Sequence, residues 1–388
     1  MKILLRAPLL TLSGYGIHSR QVFEWLESLP NVELTVEVLQ WGATPWLLSH
    51  NIDDGIVSRI MSKSKEVNQG TYDYTFQVQL PDEWDETLGK KNIGVSAFVE
   101  TDRCSPKWIE KCNKMDAIIV PSTFTKTVAQ RSGIITVPIH VIPEWYNTCI
   151  DIKDLQFTKV RLPSKFNFLM VGTLTSQNVD DDRKNILYGI KWFCEQFKDD
   201  KKVSLVLKTS FGKGTKIDRK LTTEYLKKAI EQVRPGKFPK IQLLHGGMSQ
   251  REIAGLYKNK KIMGLISATR GEGYGLPLIE AAAQGLPIVA TGWSGHNEFL
   301  DKDLYLDVDY TLEPINESRI DNRVFVQGTR WAKVNESDFK RKIQDLRDNY
   351  VIHCKNAKQL QQKIKTHFCK SSIIDQYNKF FDIFRSLT

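Results

Sequence analysis

Residues 270–298 read RGEGYGLPLIEAAAQGLPIVATGWSGHNE. Gly271, Gly273 and Gly275 permit a tight turn and a close approach of backbone to ligand, because glycine adopts positive φ without steric cost. Pro277 suits a first helical turn. Leu278, Ile279, Glu280, Ala281, Ala282 and Ala283 continue a helix that Gly285 ends. A loop therefore feeds a helix N-terminus, whose unpaired N–H groups and partial positive charge suit a phosphate or diphosphate. Residues 286–290 then read as a buried parallel strand, and 291–295 as a second polar, glycine-rich loop at its end. Two loops converge on one site of an α/β sheet, and two glutamates, Glu272 and Glu280, lie in it with seven residues between them.

This stretch resembles the signature of the retaining glycosyltransferases of family 4. The resemblance implies a GT-B fold: α/β, two Rossmann-like parallel-sheet domains facing a central cleft. It implies that Glu272 contacts the transferred sugar and that Glu280 holds the ribose of a nucleotide-diphosphate sugar, UDP- or GDP-linked, with Gly273, Tyr274, Gly275 and Leu276 on the donor. Glu298 falls where the family places a helix-starting acid. Neither metal nor cofactor is implied, and the anomeric configuration is expected to be retained by same-face attack. Without the resemblance, the stretch reads as a loop-helix-strand unit with two solvated glutamates.

The 388 residues suit two domains of about 150 to 200 residues each. The boundaries expected are 1–155 for an N-terminal acceptor-side domain, 156–335 for a nucleotide-sugar domain, and 336–388 for C-terminal helices. The polar segment 151–163 is the expected linker. In GT-B enzymes the terminal helix crosses back onto the first domain. No apolar run approaches the roughly 18 to 20 residues of a membrane span, and no small-residue cleavage site follows the short apolar run after Lys2. Six cysteines are scattered without a Cys-x-x-Cys pair, so neither a zinc cluster nor a disulfide framework is suggested and a reducing cytoplasm is expected. The early loop is Gly14-Tyr15-Gly16 rather than G-x-G-x-x-G, and no P-loop occurs, which argues against a dinucleotide-dependent dehydrogenase, a kinase or an ATPase.

The opening residues read as strand, glycine loop and helix, with Val22, Phe23, Leu26 and Leu29 at helical spacing. The resemblance puts Gly14 and Gly16 near the donor diphosphate; a plain turn is the alternative. Strands are expected at 32–40, 92–99, 117–120 and 139–142, and their alternation with polar segments builds one parallel sheet. Residues 41–89 are polar and aromatic and are expected to hold loops and short helices facing an acceptor. Glu100, Thr101 and Asp102 stand where family members bring a polar residue, often histidine, to the reacting sugar. Glu100 or Asp102 is therefore the candidate acceptor-activating group, while Asp102 reads equally as the cap of a helix beginning near Ser105 and Pro106. Residues 143–147 depart from the Pro-Asn-Gly type of turn common in relatives.

In the second half, strands are expected at 166–171, 203–207, 241–244 and 262–268. Asp182-Arg183-Lys184-Asn185 precedes an amphipathic helix carrying Ile186, Ile190, Trp192, Phe193 and Phe197. The resemblance gives Lys184, with Arg183 beside it, the task of compensating the donor diphosphate, and Lys208 is a second candidate cation. Thr173 stands where relatives often carry an arginine. Asp180, Asp181 and Asp182 superficially resemble an Asp-x-Asp metal motif but read as a solvated acidic loop. Ser249 and Glu252 form a capping box, and the nucleotide base is expected near Gly246 and Met248.

A net charge of +10 implies attraction to polyanions or anionic membrane surfaces. Two acceptor classes follow. One is a glycan or lipid-linked saccharide, with peripheral contact to anionic lipid. The other is hydroxymethylated DNA, with Trp41, Trp46, Trp84 or Trp145 around an extruded base. A nucleotide-sugar epimerase of the same fold and a non-catalytic sugar-nucleotide-binding protein are the remaining alternatives.

Overall fold

The computed structural model describes residues 1–155, 160, 162–234 and 236–387. Two compact units divide the chain: Met1–Trp145 with Asp321–Thr329 and Phe368–Thr388, and Tyr146–Ile320 with Arg330–His367.

The first unit holds β1 (Lys2–Ala7), β2 (Glu33–Val38), β3 (Tyr72–Val78), β4 (Gly89–Val95), β5 (Ala117–Val120) and β6 (Ile139–Val141) in the order β2-β1-β3-β4-β5-β6. Every neighbouring pair is parallel. Helices α1 (Gly14–Ser28), α2 (Ile56–Lys63), α3 (Pro106–Cys112) and α4 (Thr123–Ser132) lie in the connections. A parallel sheet is covered on both faces, which is why Ile3, Leu4 and Leu5 are consecutive, apolar and fully buried. Ser13 starts α1 by accepting a bond from Gly16 N at 2.9 Å.

Strand β3 corrects the expectation for residues 41–89. It lies inside the sheet, between β1 and β4. Tyr72, Phe76 and Val78 keep the period of a strand, but Thr75 and Gln77 are buried as well. Thr75 Oγ1 donates to Asn92 Oδ1 at 2.7 Å, and the Gln77 amide donates to Asp85 O and accepts from Asp85 N at 2.6 and 2.8 Å. Side-chain partners thus supply what water would have supplied, and a polar composition becomes interior.

The second unit repeats the architecture with β7 (Phe166–Val171), β8 (Val203–Thr209), β9 (Lys240–His245), β10 (Ile262–Ser267), β11 (Ile288–Thr291) and β12 (Leu306–Val308), ordered β12-β11-β10-β7-β8-β9 and again parallel. Its helices are α5 (Ile186–Gln196), α6 (Lys216–Val233), α7 (Gln250–Tyr257), α8 (Leu276–Gln284), α9 (Glu336–Asp348) and α10 (Tyr350–His367). An antiparallel pair, β13 (Tyr310–Pro314) and β14 (Arg330–Val334), completes it.

The chain passes between the units at Trp145–Tyr146, before the expected boundary at 155–156. Local bonds explain the position: Tyr146 OH donates to Asp151 Oδ2 at 2.9 Å, and Asn147 Nδ2 to Gln250 O at 2.8 Å. Residues 156–159 and 161 of the expected linker lie outside the described residues. The C-terminal region divides, with α9 and α10 in the second unit and α11 (Lys370–Ser386) in the first. There Trp25 stacks on Tyr377 at 4.6 Å and meets the edge of Phe381, and Lys370 pairs with Glu24 at 2.7 Å. Residues 321–329 also belong to the first unit, where Arg323 contacts Asp82 and Glu83 at 2.6 Å each.

The units differ in charge. The first has 18 Lys and Arg against 20 Asp and Glu, a net −2, and the second has 37 against 25, a net +12. Among the described residues no helix is long and apolar enough to cross a membrane.

Candidate active site

The two loops expected from the sequence meet in the second unit, at the C-terminal ends of β10 and β11. Gly275, at φ 105°, caps α8. Gly295 N donates to Glu272 O at 2.8 Å, and Glu272 N donates to Ser294 Oγ at 2.9 Å. A Cβ on Gly295 would stand 2.0 Å from Gly273 O, so this contact between loops admits only glycine.

Glu272 is buried. Lys184 Nζ donates to both its carboxylate oxygens at 2.6 Å, Thr269 Oγ1 donates to Oε1 at 3.0 Å, and Arg183 Nη1 stands 3.5 Å from Oε2 while donating to Gly271 O at 2.7 Å. Burial pushes this carboxyl upward, but the cations Lys184 and Arg183 outweigh it and hold the group down at about 2. It is a fixed negative charge at neutral pH. Glu280, on α8, is also buried, and burial raises it to about 7 against the opposing hydrogen bond of Tyr257. Neither glutamate is solvated, which overturns the plain reading of the stretch.

Lys208 joins the cluster through the strands. It pairs with Val171 in the sheet, and the next residue, Gly172, faces Lys184, with 3.6 Å between the Lys184 Cβ and the position a Gly172 Cβ would take. Its Nζ donates to Gly246 O at 2.7 Å, and burial lowers its pKa. Gly246, at φ 98°, has open space where a side chain would stand. Lys184, Arg183, Lys208, Glu272 and the N-terminus of α8, with Leu276 as its first residue and Tyr274 buried before it, therefore gather at one end of the sheet.

Four further residues take part that the sequence does not single out. His296 is fully buried, bonded through Nε2 to Thr291 O at 2.7 Å, and burial lowers its pKa; the neutral ring braces the second loop. Thr269 and Ser294 fasten Glu272 from either side. Arg270 lies with its guanidinium 5.9 Å from the Tyr188 ring and 5.5 Å from Trp331, fixing the loop to β14. Arg270, Ser294 and His296 lie within the 270–298 stretch, but their bonds to partners elsewhere in the fold do not show in its spacing.

The acidic run is not the solvated loop expected. Asp181 and Asp182 are buried. Asp182 Oδ1 accepts from Thr175 N and Oγ1 at 3.2 and 2.7 Å, and Oδ2 accepts from Ile186 N at 2.8 Å, so this side chain satisfies the first amide of α5, whose N-cap position is Asn185. Asp181 accepts from Ser318 Oγ at 2.9 Å. Among the described residues no group of three or more His, Cys, Asp or Glu could hold a metal ion. Asp182→Ala is expected to cost about 2 kcal/mol, the scale of an orphaned buried donor together with a lost bond at a helix start, read as a lower urea midpoint at unchanged slope.

The remaining sequence candidates lie in the first unit. Gly14 and Gly16 open α1, and a Cβ on Gly16 would stand 2.1 Å from Thr11 O, while that of Gly14 would meet open space. Tyr15 stacks on Trp41 at 4.0 Å, its hydroxyl 2.9 Å from Ser96 Oγ and accepting from Ala97 N. Burial raises the Tyr15 phenol, and the negative charge of Glu100 adds to the rise. Asp102 is buried, three residues before Ser105, which holds the N-cap position of α3 without a side-chain capping bond. Trp84 and Trp145 are 2% and 5% exposed and belong to the core, which removes them as stacking platforms.

A model of the family described as family 4 glycosyltransferase in conflict systems matches residues 150–375. The chain belongs to this family. A probable sucrose-phosphate synthase of Thermosipho melanesiensis is 30% identical over 205 residues, 52% of this chain and 43% of the relative, so the match spans under half of that protein. Among solved structures, a glycosyltransferase of Rickettsia africae has a TM-score of 0.68 at 14% identity, covering 100% of this chain and 99% of that one. Anabaena HepE, solved with UDP and glucose, gives 0.64 at 12% identity, covering 98% and 99%. At these identities the likeness is one of fold, and this member of the family has the GT-B fold: two parallel six-stranded sheets with flanking helices.

Proposed function

We propose that this chain transfers a sugar, with retention of anomeric configuration, from a nucleotide-diphosphate sugar to a hydroxyl of a glycan or lipid-linked saccharide. One observation carries the reading: the buried Glu272 carboxylate, gripped by Lys184 and flanked by Arg183, beside the N-terminus of α8. Cleavage of the anomeric carbon–oxygen bond sends its electron pair to the diphosphate and leaves positive character on the sugar carbon. Lys184, Arg183, Lys208 and the helix terminus stabilise the first charge, and Glu272 the second. The cations supply what diphosphate departure needs, so no metal or other cofactor enters the proposal. Glu100 or Asp102 is the candidate to take the acceptor proton as the new bond forms. The Anabaena structure with UDP and glucose supports a nucleotide sugar as donor.

Charge favours a saccharide acceptor over hydroxymethylated DNA. The basic excess lies in the donor-side unit, where it supports peripheral contact with anionic lipid, and the acceptor-side unit is net acidic.

Glu280 gives the reading a pH signature. With its folded pKa raised to about 7, its protonated form contributes stability fully below the ordinary carboxyl range, and that contribution is lost as pH rises through about 7. A ribose that donates hydroxyls to this group binds its ionised form and must expel the proton at lower pH. Donor affinity is therefore expected to rise roughly tenfold from pH 6 to pH 8. Calorimetric titration with UDP-glucose and GDP-mannose tests both points. Saturable binding of one donor whose pH dependence disappears in Glu280→Gln supports the assignment; absence of binding by either nucleotide class, or a slope that persists in the variant, contradicts it.

A further inference from the structure

Nothing in the donor site accounts for the aromatic loop after β2. Residues 41–47 fold onto residues 10–12 through Leu12 N to Pro45 O at 2.8 Å, Leu47 N to Leu10 O at 2.7 Å, and an antiparallel bridge between Thr11 and Trp46. Leu10 and Leu47 are buried beneath, which fixes the loop to the core. Trp41 lies flat on Tyr15, whose hydroxyl is tied to Ser96 and Ala97 just past β4, four and three residues before Glu100. Trp46 is 36% exposed and Leu48 81%. Positions at Gly14 and Gly42 open onto free space. Trp46 and Leu48 thus stand as exposed large apolar side chains, two residues apart, on a loop pinned to the core.

We propose that this loop is the acceptor platform, with Trp41 and Trp46 taking the apolar face of a neutral saccharide whose hydroxyls reach Glu100. The inference rests on the transferase reading above and adds the substrate class and the residues that select it. A pyranose presents one face of C–H groups and a rim of hydroxyls, which matches a broad indole beside a carboxylate. A nucleic acid could also stack on indoles, but it needs cations for its phosphates. Between Ala7 and Ser58 the sole Lys or Arg is Arg20. It is buried and spends Nη1 on Leu9 O and Thr11 O at 2.8 and 3.0 Å. The loops that build the platform therefore offer no phosphate clamp, and their unit is net −2.

The test follows tryptophan fluorescence of the full chain during titration with maltose, lactose and cellobiose, and separately with a short single-stranded oligonucleotide. The platform predicts a saturable change with at least one disaccharide, weakened about tenfold or more in Trp46→Ala and restored to within about threefold in Trp46→Tyr, which keeps a flat ring. Thermal melts establish that both variants fold. Disaccharide binding indifferent to Trp46→Ala, no response to any of the three sugars, or Trp46-dependent binding of the oligonucleotide each overturns the proposal. Donor turnover by the wild type is measured in parallel: its absence would fault the transferase reading, whereas turnover with a silent platform would fault this inference alone.

Discussion

Glu272→Gln is expected to lower donor turnover about 10³-fold while binding UDP or GDP no more weakly than the wild type, and Lys184→Ala to weaken both. The opposite signs for binding follow from what each side chain faces. In the absence of donor, the Glu272 carboxylate occupies Lys184 Nζ on both oxygens at 2.6 Å, with Arg183 at 3.5 Å. A neutral amide releases those cations to the diphosphate and removes the charge that would face the sugar carbon. On the proposed reading, Lys184→Ala instead takes a cation from the diphosphate, and it leaves the buried Glu272 with Arg183 as its nearest cation, so the pKa of Glu272 must climb from about 2. Calorimetry with UDP and GDP separates the two variants. Equal weakening of nucleotide binding in both would mean that Glu272 contacts the nucleotide itself.

Gly295→Ala is expected to cost about 1 to 3 kcal/mol of stability and at least about 100-fold in turnover, because the added methyl cannot be housed without moving the loop that carries Glu272. Its Cβ would lie 2.0 Å from Gly273 O, 2.4 Å from Gly273 C and 2.7 Å from Glu272 O, all backbone atoms that cannot swing aside. Gly292, in the same loop, is the control: its nearest neighbour would be 3.5 Å away, an ordinary contact, and Gly292→Ala should keep the wild-type melting temperature. Unfolding in urea alongside turnover at saturating donor measures both effects. A Gly295→Ala protein with wild-type stability and rate would show that the two loops are not held together as described.

Much of this architecture is legible in the chain because parallel strands buried on both faces are written as apolar runs, as at Ile3 to Leu5 and Leu205 to Leu207. The loop-helix-loop site is legible for a related reason, since glycines at a turn and alanines in a helix announce themselves locally. Strand β3 escaped because its interior polar groups are satisfied by Asn92 and Asp85, partners remote in sequence. The Asp182 bond to α5 and the Arg270 stack depend on partners that only the fold brings near. Trp41 and Trp84 look alike in sequence, yet one is half-buried against Tyr15 and the other core, because Trp84 fills the space over Gly94, where a Cβ would stand 2.6 Å from its ring. The resemblance assigns Lys184 and Glu272 to one donor, but their direct pairing, 88 residues apart, appears only in the fold.

The most direct test is release of nucleoside diphosphate from a panel of UDP- and GDP-sugars by the wild type and by Glu272→Gln, with and without neutral saccharide acceptors, and with the product's anomeric configuration read by NMR. The account predicts that the wild type consumes one donor, that the product keeps the donor's configuration, and that Glu272→Gln falls about 10³-fold. Turnover undiminished in Glu272→Gln, an inverted product, or no release from any donor would contradict it.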